Sequence, residues 1–206
     1  MPKGSDALTN ARREEIISAC AALYETMSFK DITIKEIGNA TSFTRPSIYN
    51  YFQTKEEIFL ALLEREYVQW ADDLNGLMAE QPALSAEEFA AALAHSLEKR
   101  LRLLKLMSMN HYDMEENSRM EKLVEFKAAY GRALDTVEQC LRQYFPQMAA
   151  QERQNFLFTF FPFLFGVYPY AVVTDKQRQA MQQAGVHYAF LSVYELVYAE
   201  VCHLLR

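Results

Sequence analysis

The sequence predicts an all-α protein, and three observations carry that prediction. Apolar residues recur at three- and four-residue steps along nearly the whole chain. Four segments of the form Ser/Thr-x-x-Glu each open such a run: Thr33 to Glu36, Thr54 to Glu57, Ser85 to Glu88 and Ser118 to Glu121. In that arrangement each side chain satisfies a backbone donor that the first helical turn leaves orphaned. Finally, only six glycines and six prolines punctuate 206 residues, half of them hydrophobic, which suits a compact helical chain and not a disordered one.

The elements follow in order. Ile16, Ile17, Ala19, Cys20, Leu23, Tyr24 and Met27 form one stripe on a first helix, Thr9–Met27. Two short helices follow, Thr33–Ala40 and Thr44–Tyr51. Longer ones are expected over Thr54–Met78, Ser85–Met107, Ser118–Tyr144, Gln151–Tyr168, Thr174–Ala184 and His187–Leu205. The uncharged stretch Phe156–Val173 is long enough to raise the question of a membrane span, but Pro162, Gly166 and Pro169 interrupt it. It reads as a buried helix with a kinked exit. Three widely spaced cysteines with no CxxC pair point to reduced thiols in a cytoplasmic protein.

The formal net charge is −6, and the first 60 residues hold seven Lys or Arg against eight Asp or Glu. Bulk charge therefore gives no reason to expect a nucleic-acid partner; placement does. The short helix pair has the layout of a helix-turn-helix, whose second helix enters the major groove N-terminus first. Gly38 to Lys55 contains no carboxylate. Thr44 stands at a cap position and Pro46 in the first turn, where its missing N–H does no harm. Arg45, Pro46 and Ser47 then lie where base edges are reached, with Arg45 able to donate bidentately to guanine and Pro46 to touch a thymine methyl. Ile48 and Phe52 are expected to face inward with Phe43 and Ile37. Tyr49 and Tyr51 present hydroxyls to phosphates, and Lys55 opens the next helix, where backbone donors and dipole also favour phosphate.

The order Ile37, Ser47-Ile48-Tyr49, Tyr51-Phe52, Lys55-Glu56 resembles the tetracycline-repressor (TetR) family of transcriptional regulators over about the first 60 residues. The resemblance implies a DNA-binding unit at residues 1–56 and an effector-binding and dimerisation domain at 57–206. It places phosphate contacts on Thr33, Tyr49, Tyr51 and Lys55, and base-reading positions on Lys35, Arg45, Pro46, Ser47 and Asn50. Ser42 departs from the family's usual turn glycine, and Tyr51 from a common histidine. The implied partners are a double-stranded DNA operator, a small-molecule effector and a second copy of the chain, with repression the family's usual mode. No membrane partner, metal or cofactor is expected.

Beyond residue 85 the resemblance fades. The breadth of apolar surface on the last helix (Phe190, Tyr194, Tyr198 and Cys202 on one row, Val193, Val197 and Val201 beside it) suggests one face for the monomer core and another for a partner. A two-fold interface of Gln151–Tyr168 and His187–Leu205 is expected. Met107, Tyr112, Phe160, Phe163 and Tyr168 are the candidate lining of a pocket for a flat, largely apolar ligand. His111, Asp113 and Glu116 do not share one helical face and match no metal motif. The long helix after Thr54 is the expected lever between effector and head spacing. Two other classes stay open: a regulator acting through protein contacts without an effector, and an all-helical enzyme, for which no nucleophile elbow, HExxH or phosphate loop is present.

Overall fold

The computed structural model describes residues 3–42, 44–109 and 111–206, with side chains from residue 7 onward except that of residue 111. Among the described residues there are only helices: α1 (Lys3–Thr26), α2 (Ile34–Asn39), α3 (Arg45–Ile48), α4 (Lys55–Glu80), α5 (Ala86–Glu98), α6 (Leu101–Met107), α7 (His111–Glu116), α8 (Met120–Tyr144), α9 (Ala150–Ala171), α10 (Asp175–Gln183) and α11 (Val193–Leu204). The chain packs as two compact units, Met1–Arg65 with Asn110–Tyr130, and Glu66–Met109 with Gly131–Arg206. A single cut in the sequence does not separate them, because α7 and the start of α8 pack with the N-terminal helices.

The first unit is built on the α1 stripe. Ile16, Ile17, Cys20 and Tyr24 are buried with Ile32, Ile37, Ile48, Phe52, Ile58, Phe59 and Leu62. Tyr24 and Phe29 both meet the Phe59 ring edge-on, at 5.1 and 4.8 Å between centroids. Phe43, expected in this core, lies outside the described residues.

In the second unit α11 lies along α5 and also touches α9, while α6 packs on α9. Trp70, Phe89, Leu93, Leu97, Leu104, Val137, Phe156, Phe160, Phe161 and Leu164 form its core. The indole of Trp70 packs 5.9 Å from the Phe161 ring and donates to the Ser96 hydroxyl at 3.0 Å.

Several boundaries differ from expectation for identifiable reasons. The run Ser85–Met107 divides into α5 and α6, with Arg100 between them in a non-helical conformation (φ −118°, ψ 47°). Its guanidinium is drawn onto Asp73, Glu66 and the Gln69 carbonyl. The last helix starts at Val193 and not at His187, because Ser192 and Glu195 form a complete capping box that the apolar periodicity hid. Phe190 and Leu191 precede it and are exposed. α9 continues through Pro162 and Pro169 to Ala171, burying Phe156, Phe160, Phe161, Leu164 and Val167. α10 ends in a Schellman motif: Gly185 adopts φ 67°, Val186 donates to the Met181 carbonyl and Gly185 to that of Gln182. No described helix is by itself long and apolar enough to cross a membrane; only α9 and α10 taken together, bent by 83°, reach that length and composition.

Of the four expected capping boxes, only Ser85/Glu88 is complete. Thr33 accepts from the Glu36 amide at 3.3 Å without the reciprocal bond being present. Thr54 caps α4 by accepting from the Glu57 amide at 3.2 Å, but the Glu57 carboxylate is turned elsewhere. The Ser118/Glu121 box does not form. The Arg119 amide beside it instead donates to Glu57 at 3.1 Å, so a carboxylate from α4 serves the start of α8.

Candidate nucleic-acid interface

The reading element is α2, a turn, and α3. Ile37, Gly38 and Ile48 are buried between the two helices, and a Cβ on Gly38 would stand 3.5 Å from Ile48 Cδ1, so the helices approach closely. With Ile48 and Phe52 pointing inward, helical geometry turns Thr44, Arg45, Pro46, Tyr49 and Asn50 outward, and all five are exposed; Ser47 is half-buried. Thr33 and Lys35 are exposed at the start of α2, while Tyr51 and Lys55 are half-buried. The structure therefore brings the sequence-derived positions onto the one short element Thr44–Tyr51, flanked by Thr33, Lys35 and Lys55.

Local chemistry corrects three details. Regular α3 is only Arg45–Ile48, continued by turns through Tyr51. Thr44 holds the N-cap position with extended backbone (φ −78°, ψ 149°) but makes no side-chain cap; its hydroxyl pairs with that of Ser47 at 3.0 Å. Pro46 sits in the first turn, as expected. The ammonium of Lys55 donates to the Phe29 carbonyl at 2.8 Å and lies 4.1 Å from the Phe29 ring centroid, so it is already engaged on the α1–α2 connection. Arg45 donates to the Tyr49 hydroxyl at 3.2 Å, one turn away, which holds its guanidinium along the outer face.

Position 42 needs no glycine. Among the described residues no non-glycine adopts positive φ, so Ser42 fits without strain. Its amide donates to Glu15 Oε1 at 2.7 Å, tying the turn to α1, and that bond holds the Glu15 carboxyl below its ordinary value.

A polar cluster centred on Glu57 was not legible in the sequence. The Glu57 side chain, 1% exposed, receives Arg119 Nε at 2.6 Å and Nη2 at 2.8 Å, together with the amides of Gln53 at 2.8 Å and Arg119 at 3.1 Å. Burial pushes its pKa up, but the Arg119 side chain and the two amides outweigh that, and the net shift is downward from 4.5. A depressed carboxylate contributes stability above its unfolded pKa, and that contribution disappears as pH falls through the folded value. Acid titration of the wild type is thus expected to loosen the first unit below about pH 4, and Glu57→Gln to blunt that transition. A protein fluorescence-independent readout, far-UV circular dichroism against pH, checks this; identical acid profiles for both would contradict it.

The candidate effector residues are not brought together in the same way. Met107 and Phe160 are fully buried in the second unit, Phe163 and Tyr168 are half-buried there, and Tyr112 belongs to the first unit with 83% exposure. Two open clefts exist in the second unit. One of about 420 Å³ lies between Met148, Phe156 and Leu204, the other of about 540 Å³ between Asp72, Leu77 and His95, and neither is lined by any of the five. No group of three or more His, Cys, Asp or Glu among the described residues is placed to hold a metal ion, and the His111 side chain lies outside them.

A helix-turn-helix with Arg45 and Pro46 outward and a second all-helical unit defines the class: a regulator with a reading head. Residues 16–62 match the family described as "Bacterial regulatory proteins, tetR family", and residues 64–194 match "Tetracyclin repressor-like, C-terminal domain". The chain belongs to the tetR family of bacterial transcriptional regulators, and as such is a regulator and not an enzyme. It is 33% identical over 82 residues to the HTH-type transcriptional regulator EthR of Mycobacterium tuberculosis, a match covering 40% of this chain and 35% of EthR. The match thus spans about a third of that relative's length. Among solved structures, Thermus thermophilus FadR in complex with lauroyl-CoA is similar over 94% of this chain and 93% of its own (18% identity, TM-score 0.60). Bacillus subtilis FadR in complex with stearoyl-CoA is similar over 93% and 96% (15% identity, TM-score 0.54). At those identities the likeness is one of fold.

Proposed function

We propose that the protein is a ligand-responsive repressor that reads a near-palindromic duplex as a homodimer and leaves it when a small, largely apolar effector binds. The observation that carries the DNA reading is the division of α3 and its turn. Ile48 and Phe52 are buried, Arg45, Pro46, Tyr49 and Asn50 face outward, and no carboxylate lies between Gly38 and Lys55. Arg45, Pro46, Ser47, Asn50 and Lys35 take the base edges; Thr33, Thr44, Tyr49, Tyr51 and Lys55 take phosphates. Lys55 keeps unused donors on its ammonium after bonding Phe29, since an ammonium has three.

A dimer places two heads about one helical turn apart. The exposed Phe158 and Tyr170 of α9, with the half-buried Tyr194–Tyr198 stack of α11 (5.7 Å between centroids), supply the apolar faces for it. The effector site is assigned to the α6–α9 region through Met107, Phe160, Phe163 and Tyr168; the acyl-CoA complexes of the two FadR proteins support a long apolar ligand. Because Met107 and Phe160 are sealed in the core, binding requires a form that opens there, and the effector releases DNA by its differential affinity for that form.

Selection of duplexes from a randomised pool by the purified protein tests this reading. The enriched sequences are expected to have two-fold symmetry, and Lys55→Ala is expected to lower the salt slope of binding by about one unit on every duplex. Enrichment of no sequence by protein free of carried-through ligand would overturn the DNA reading.

A further inference from the structure

We infer that Arg119 is a positioning residue for sequence recognition, acting through Glu57 on the turn that ends the reading element; the inference rests on the DNA reading proposed above. Arg119 lies 62 residues beyond Glu57 in sequence and outside the segment 16–62 that carries the family's DNA-binding domain. Its guanidinium nevertheless forks onto both Glu57 oxygens, and Nη2 also donates to the Tyr51 carbonyl at 3.3 Å. Glu57 in turn holds the Gln53 amide. The Thr54 hydroxyl, while capping α4, donates to the Asn117 carbonyl at 2.9 Å. Residues 51, 53 and 54, which join α3 to α4, are thus all fastened to residues 117–119, directly or through Glu57.

A turn in this place decides the angle at which α3 stands. The Tyr51 and Phe52 amides both reach the Ile48 carbonyl, but the Tyr51 carbonyl and the Gln53 amide are held by Arg119 and Glu57, and without those partners they would be left to water and to many conformations. Base-edge readout needs side chains held to within about half an ångström and 10–20°. Only the Glu57 end of the pair is buried, while Arg119 is 39% exposed, so the pair adds modestly to stability, the desolvation of Glu57 offsetting much of an attraction that solvent also screens. A planar fork that also reaches a carbonyl is, however, a good device for fixing one geometry. The same residues lie directly before α8, in the part of the chain that packs with the first unit.

The test compares a duplex selected by the wild type with a random duplex of equal length, for Arg119→Ala, Arg119→Lys, Glu57→Gln and the Glu57→Gln/Arg119→Ala pair. All are assayed at a temperature where circular dichroism confirms folding, and Arg119→Lys retains the charge should the alanine variant not fold. Expected is a loss of about tenfold on the selected duplex in each single variant, no larger loss in the pair, and unchanged random-duplex affinity and salt slope. Lysine does not rescue, because it cannot form the fork. Unchanged affinity for the selected duplex would overturn the inference, as would equal losses on both duplexes (general loosening) or a salt slope lower by about one unit (a direct phosphate contact). A wild type that selects no duplex at all is a different result, seen before any variant is made, and removes the DNA reading together with this inference.

Discussion

Phe52→Ala is expected to abolish sequence-selective DNA binding by unfolding the reading head, with a loss of about 3–5 kcal/mol in stability. The Phe52 ring has no exposed surface, and the Arg13 guanidinium lies 5.9 Å from its centroid. Arg13 also pairs with Glu64 at 3.1 Å and Glu125 at 3.0 Å, so the ring sits under a charged cluster joining α1, α4 and α8. Truncation leaves a cavity next to that cluster and removes the wedge that keeps Ile48 and its exposed neighbours in place. A first unit of this size has little stability to spare. Urea denaturation with a parallel binding assay checks the effect. Phe52→Leu is expected to cost roughly 1–1.5 kcal/mol and keep selectivity. An alanine variant of near wild-type stability would mean that Phe52 is not a core residue of the head.

The second large effect belongs to the other unit. Trp70→Ala is expected to cost about 3–5 kcal/mol, because the indole is fully buried, contacts Phe161 and bonds Ser96. Trp70→Phe retains most of the volume and is expected to lose only about 1 kcal/mol, mainly the indole hydrogen bond. The Ser96 hydroxyl is not orphaned in either variant, since it also donates to the Leu93 carbonyl at 2.8 Å. As the chain has one tryptophan, its fluorescence reports the second unit alone in the wild type, and the variants are followed by circular dichroism. Equal midpoints for wild type and Trp70→Ala would contradict the packing.

How much of this the sequence carried can be judged residue by residue. The α1 stripe, the short α2–α3 pair and the Ser85 cap were legible because they follow from local rules: period, side-chain acceptors and the position of Pro46. The placement of Arg45, Pro46, Tyr49 and Asn50 on one outer surface was legible for the same reason, once Ile48 and Phe52 were read as buried. The start of α11 was missed although Ser192-x-x-Glu195 is a local signal, because the apolar run before it kept the helical period going. The Glu57–Arg119 fork was not legible. Both residues stand in ordinary capping contexts, and only the tertiary fold decides that Glu57 serves Arg119 and Gln53 and not the Thr54 amide. The candidate effector residues were chosen as apolar and bulky, but that description fits a sealed core and a ligand pocket equally, and Met107 and Phe160 belong to the sealed core here.

The family assignment rests on the match of residues 16–62 and 64–194; the operator reading rests on what Arg45 does. The most direct test is fluorescence anisotropy of a selected duplex titrated against salt, for the wild type and Arg45→Ala. Arg45→Ala is expected to lose about 1–3 kcal/mol on the selected duplex, to relax preference at one guanine-containing position, and to bind random duplex nearly as the wild type does. A wild type that binds selected and random duplexes equally, or an Arg45→Ala variant that loses the same affinity on both, would contradict it.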